Sequence, residues 1–182
     1  IEVVLNIESF DPCNVIGDSV TLIIELHEGN GFLGSILGTT SSKKFEAIAD
    51  STVACFFPTP VPVALGATYT FELKRIAESI NNNLSVSLEA EFNGSYAGGA
   101  AYNNGVIAGT QDILFRTFMG NYLPPNPPAP DPAFCNLDQD YISGIPTTTS
   151  FGGHTLGADN DKGQSFTSSI SGNLQAIEVV LN

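Results

Sequence analysis

Apolar and polar positions alternate with a period of two along much of this chain. In "TYTFEL", Tyr69, Phe71 and Leu73 fall on one face of an extended segment, and Thr68, Thr70 and Glu72 on the other. Comparable segments recur: "GQSFTS", a hairpin at "ISGN", "LQAIEVVLN", "SVTLIIELHE", "FLGSILG", "STVACFFPTPVPV", "TYTFELKRI", "NLSVSLEAEF" and "DILFRTFM". Each is short, rich in Val, Ile, Leu, Phe and Thr, and bounded by Gly, Asn, Asp or Pro, as in the strands of a sandwich. Only "FEAIAD" and "ELKRIAESI" have helical character, and both are brief. The pattern predicts an all-β chain folded as an antiparallel β-sandwich.

One strand-like hexapeptide occurs twice. "IEVVLN" stands at Ile1–Asn6 and again at Ile177–Asn182, so the second copy repeats the first at an interval of 176 residues. A period of that length is a whole domain rather than a solenoid unit. It implies one repeat of a tandem array, with 1–6 and 177–182 as the same repeat position. The densest run of strand breakers is internal: "YLPPNPPAPDP", Tyr122–Pro132, has six prolines in eleven residues. Such a run reads as a semi-rigid linker able to span roughly 30 Å. The domain is then expected to run from 133–182 into 1–121 of the next copy, with 122–132 between domains. In that register the numbering is a circular permutation of the fold.

Composition narrows the partners. Nineteen acids against six bases leave a formal charge of −13, which disfavours nucleic acid and anionic membrane surfaces and favours divalent cations. No apolar run approaches the length of a membrane span. Few lysines and many Thr, Ser, Asn and Gly point to an extracellular or cell-surface setting. The three cysteines, Cys13, Cys55 and Cys135, form no C-x-x-C pair. They read either as buried thiols or as one disulfide of undetermined pairing plus a remaining thiol.

In this register "GQSFTSSISGNLQAIEVVLN", "VTLIIELHEGNGFLGSIL", "VPVALGATYTFEL" and "GSYAGGAAYNNG…QDILFRTF" resemble jelly-roll β-sandwich domains of secreted and surface-anchored, adhesin-like bacterial proteins. The likeness covers most of the stretch from Gln164 round to Phe118 and is one of pattern, without a diagnostic motif. It implies a repeated accessory module, used in adhesion or as a spacer, and carries no catalytic residues over.

The individual motifs agree with a non-enzymatic reading. "GNGFLG", Gly29–Gly34, is a literal G-x-G-x-x-G, but "SILGTTSSKK" follows it rather than a helix able to hold a pyrophosphate. Its glycines are expected in a hairpin turn. His27 ends a strand, His154 lies in a loop, and no G-x-S-x-G accompanies them. Calcium is the cofactor to consider, because "GADNDKGQ" offers Asp159, Asn160 and Asp161, and "LDQDY" offers Asp138 and Asp140. Asp112 of the closing strand is placed to join them. The competing reading is a set of solvated acidic loops.

Tyr96, Tyr102, Tyr122 and Tyr141, with Leu123 and Phe134, are the binding or interface candidates, either stacking on sugar rings or packing against a neighbouring domain. Asn83 and Asn93 match the glycosylation acceptor pattern. Together these features point to a structural repeat unit of an extracellular fibre, filament or stalk, assembling by linker docking and domain contacts with neighbouring copies. The alternative is a carbohydrate-binding or adhesive surface module.

Overall fold

The computed structural model describes residues 19–46, 51–78, 88–92, 96–120, 136–142, 149–151 and 161–181. Among these residues there is no helix. The strands, in chain order, are β1 (Ser19–Glu28), β2 (Ile36–Thr39), β3 (Lys43–Glu46), β4 (Ser51–Val63), β5 (Thr68–Glu78), β6 (Leu88–Phe92) and β7 (Ala101–Asn103). They continue as β8 (Val106–Ile107), β9 (Gln111–Ile113), β10 (Phe115–Met119), β11 (Asn136–Asp140), β12 (Thr149–Phe151), β13 (Lys162–Thr167) and β14 (Gly172–Leu181). They form two antiparallel sheets of seven strands each, an all-β sandwich. The first sheet runs β2-β1-β5-β13-β7-β8, with β3 also on β1. The second runs β11-β10-β14-β6-β12, with β4 on β14 and β9 on β6.

Alternation along the strands decides which side of each sheet is buried. Leu22, Ile24 and Leu26 of β1 and Phe71 and Leu73 of β5 turn inward and are fully buried. From the second sheet Phe115, Leu174, Ile177 and Val179 meet them, also fully buried. Phe115 is the aromatic centre of this core. Its ring lies 5.4 Å from Phe71 and 6.0 Å from Phe166, both of the opposite sheet, and 5.2 Å from Tyr96, edge-on.

One expectation is sharpened and one is corrected. "ELKRIAESI" begins within β5, which stays extended to Glu78, because nine residues of β1 pair along β5 and supply a ladder that outweighs local helix preference. The "ISGN" segment is not a hairpin. β13 belongs to the first sheet and β14 to the second, so residues 168–171 arch from one sheet to the other. Asp138 of β11 holds the arch. Its carboxylate accepts hydrogen bonds from the Ser169 N–H (2.9 Å), the Ser169 hydroxyl (2.7 Å) and the Ile170 N–H (3.1 Å).

β13 and β14 occupy interior positions. β13 lies between β5 and β7, while β14 is flanked by β10 on one side and β4 on the other. The second "IEVVLN" therefore sits in the middle of a sheet, Ile177–Leu181 facing Ser51–Cys55 of β4. β4 is irregular further along. Val61 pairs with Leu174 and Phe56 with Ala176, so Phe57–Pro60 bulge out opposite Gln175 alone, and Pro58, Pro60 and Pro62 all lie in this half of the strand.

Candidate functional site

The densest chemistry lies on the outer face of the first sheet. With Ile24 and Leu26 directed into the core, β1 turns Glu25 and His27 outward, and by the same alternation β5 turns out Glu72 and Lys74. The register sets Glu25 directly opposite Glu72. Like charges in that position repel, and the two flanking residues offset the repulsion. Lys74 Nζ donates to Glu25 Oε2 at 2.6 Å and lies 3.0 Å from Glu72 Oε2. His27 Nε2 stands 2.8 Å from Glu72 Oε2 and 3.9 Å from Glu25 Oε2. The other ring nitrogen, Nδ1, faces the Gly34 carbonyl at 3.2 Å. Both ring nitrogens thus face oxygen atoms.

The loop after β1 covers this cluster. Gly29 and Gly31 have positive φ, and the Gly31 N–H donates to Thr70 Oγ1, whose hydroxyl donates to the Gly29 carbonyl. "GNGFLG" is therefore the turn between β1 and β2, as its glycines predict. The turn brings Phe32 over His27 (ring centroids 6.0 Å apart) and against Tyr102 (5.7 Å). Gly163 of β13 makes room, since a Cβ there would lie 2.6 Å from the Phe32 ring and would collide with the Phe71 carbonyl oxygen.

Asp161, just before β13, joins from the third strand. Burial, then the Glu72 carboxylate beside it, pushes its carboxyl up to about 6, with Lys74 opposing. The folded state therefore takes up this proton more readily than the unfolded chain. Stability from this group is present at low pH and is lost as pH rises from the ordinary Asp range through about 6. Asp161→Asn is expected to remove the loss. Thermal melts at pH 4.5 and pH 8 should show the variant gaining more on the parent at the higher pH. An equal offset at both values would contradict the assignment.

Glu25, His27 and Glu72 are, among the described residues, the one group of His, Cys, Asp and Glu whose ligand atoms converge, all within 4.8 Å. Lys74 already supplies a cation to both carboxylates, so the arrangement is a connected charge network. Sequence reasoning named only His27 and Asp161 of its members. The i, i+2 spacing of Glu25 and His27, matched by Glu72 and Lys74, was the available signal.

The expected calcium ligands are not gathered at one place among the described residues. Asp112, on β9 and buried, receives Gln164 Nε2 at 3.0 Å and the Tyr96 N–H at 3.3 Å; burial raises its carboxyl. Asp138 anchors the β13–β14 arch, and Asp140 pairs with Arg116, whose Nε donates at 2.9 Å. Asp161 belongs to the cluster above. Asp159 and Asn160 lie outside the described residues.

Among the described residues the candidate tyrosines are packed rather than displayed. Tyr102 and Tyr141 are buried, and Tyr96 packs 5.0 Å from Tyr141 and donates its hydroxyl to Gln139 Oε1 at 3.1 Å. Tyr141 in turn donates to Glu91. Cys55 is buried in the core on β4. Tyr122, Leu123, Phe134, Cys13, Cys135, His154, Asn83, Asn93, the first hexapeptide and the proline-rich run lie outside the described residues.

No protein-family model matches the chain, and neither a curated protein nor a solved structure matches it.

Proposed function

We propose that the chain is a structural repeat unit of an extracellular fibre, filament or stalk, one β-sandwich bead joined to neighbouring copies of itself. The observation that carries this reading is the position of the second "IEVVLN". Ile177–Leu181 form part of an interior strand, with Ile177 and Val179 fully buried and ladders on both sides. A segment with that demand for neighbours has one place in a bead, and Ile1–Leu5 carry the same side chains in the same order. On this reading the duplicate takes the equivalent position of another bead, and repetition is the organising feature. The excess of acids suits a surface polymer, since like-charged beads resist unspecific collapse.

The test is the mass of the natural material, native by light scattering and denatured under reducing conditions. Assemblies many times 19.1 kDa in native buffer are expected. A denatured band of the same high mass would mean one covalent array, and a band near 19.1 kDa would mean associated subunits. A particle of a single bead in native buffer would overturn the proposal.

A further inference from the structure

The sandwich is assembled from two stretches of chain. Residues 19–120 supply β1–β10, and residues 136–181 supply β11–β14. The second stretch is not an accessory, because β13 separates β5 from β7 in one sheet and β14 separates β4 from β10 in the other. Without it, each sheet loses an interior strand, and fully buried side chains such as Phe166 and Ile177 leave the core. Residues 19–120 thus form a body that needs this insert, whichever copy the insert comes from.

We infer that β11–β14 of one copy completes the sandwich of another copy, so that the partner recognised by the 19–120 body is the 136–181 segment of a second chain or repeat. The inference rests on the repeat reading above and adds how the copies hold each other. Its support is a fit of path as well as of sequence. Leu181 faces Ser51 across the β4–β14 pair, and Ser19 faces Glu46 across the β1–β3 pair. The route from Leu181 to Ser19 through these two pairs and the short Glu46–Ser51 connection is at most about 30 Å. Because Leu181 is the repeat equivalent of Leu5, the thirteen residues Asn6–Asp18 are the stretch that must cover it, and extended they reach about 40 Å. The stretch is long enough for the chain leaving β14 of one copy to enter β1 of the next within the same bead.

Ala54 and Glu178 stand opposite each other on β4 and β14, one from each stretch, and neither is fully buried. The test is the full chain carrying Ala54→Cys and Glu178→Cys, refolded from denaturant and then oxidised, or treated with a short bismaleimide, with the parent chain as the baseline for its own cysteines. Peptide mass mapping identifies the 54–178 link. The expected result is that this link joins different chains, giving a ladder at multiples of 19.1 kDa on a non-reducing denaturing gel. Mixing Ala54→Cys chains with Glu178→Cys chains before refolding should give the linked dimer as well.

A 54–178 link confined within single chains, with no linked dimer from the mixture, would overturn the inference. High-mass natural material beside such intrachain links would leave the fibre reading standing and remove only the exchange. Natural material of single-bead mass would remove both.

Discussion

Phe115→Ala is expected to destabilise the fold by about 3–5 kcal/mol, the cost of emptying a fully buried aromatic site that cannot collapse. The reason lies in who touches the ring. Phe71 and Phe166 reach it from the opposite sheet, while Tyr96 and Tyr141 flank it from its own side of the core. Removing Phe115 therefore breaks the contact between the two sheets and also the support of Tyr96, whose hydroxyl bonds Gln139. Urea unfolding should show a lower midpoint with an unchanged slope. A loss under about 1 kcal/mol would mean that the sheets do not meet at this ring.

Gln164→Leu is expected to cost about 2–4 kcal/mol, although leucine is nearly the same size and more apolar. Gln164 is fully buried on β13 of the first sheet, and besides the Ser165 carbonyl its side chain bonds two groups on β9 of the second. Its Oε1 accepts the Ile113 N–H at 3.0 Å, and its Nε2 donates to Asp112 Oδ1 at 3.0 Å. Leucine leaves a buried N–H and a buried carboxylate short of a partner. Burial already raises the Asp112 carboxyl, and the Gln164 hydrogen bond is the largest influence holding it down. In the variant that carboxyl rises further and is protonated sooner as pH falls, so the deficit should shrink between pH 7 and pH 5. Unfolding free energies of parent and variant at the two pH values test this. A deficit that stays constant would remove Asp112 from the account.

Much of the architecture could be read from alternation. Tyr69, Phe71 and Leu73 are inward and buried, as "TYTFEL" predicts, and the "GNGFLG" glycines form the β1–β2 turn. What alternation cannot supply is the choice of partner. Nothing local in "ISGN" distinguishes a hairpin from an arch, because both need the same turn chemistry. The difference lies in which sheet each flanking strand completes. The same holds for the charge cluster. Glu25 and His27 visibly share a face, as do Glu72 and Lys74, but the β1–β5 register that sets Glu25 against Glu72 is a tertiary fact. In "ELKRIAESI" a local helical preference is overruled by a long ladder, in keeping with the strand read at "TYTFELKRI". The acidic residues were legible as acids but not as hydrogen-bond acceptors: Asp138 and Asp112 direct their oxygens to an arch and to a buried amide.

On the proposed repeat reading, the irregular half of β4 bears on a hazard peculiar to repeated proteins. Neighbouring domains of identical sequence are each other's best misfolding partners, because any strand able to template its own kind will find a copy close by. Pro58, Pro60 and Pro62 remove three amide donors from this half of β4, and the Phe57–Pro60 bulge breaks its flat line. A stray strand laid there would find too few donors to zip up. β4 accepts β14 along Ser51–Phe56 and again at Val61–Val63, and the proline-containing bulge between them makes a poor template for a foreign strand.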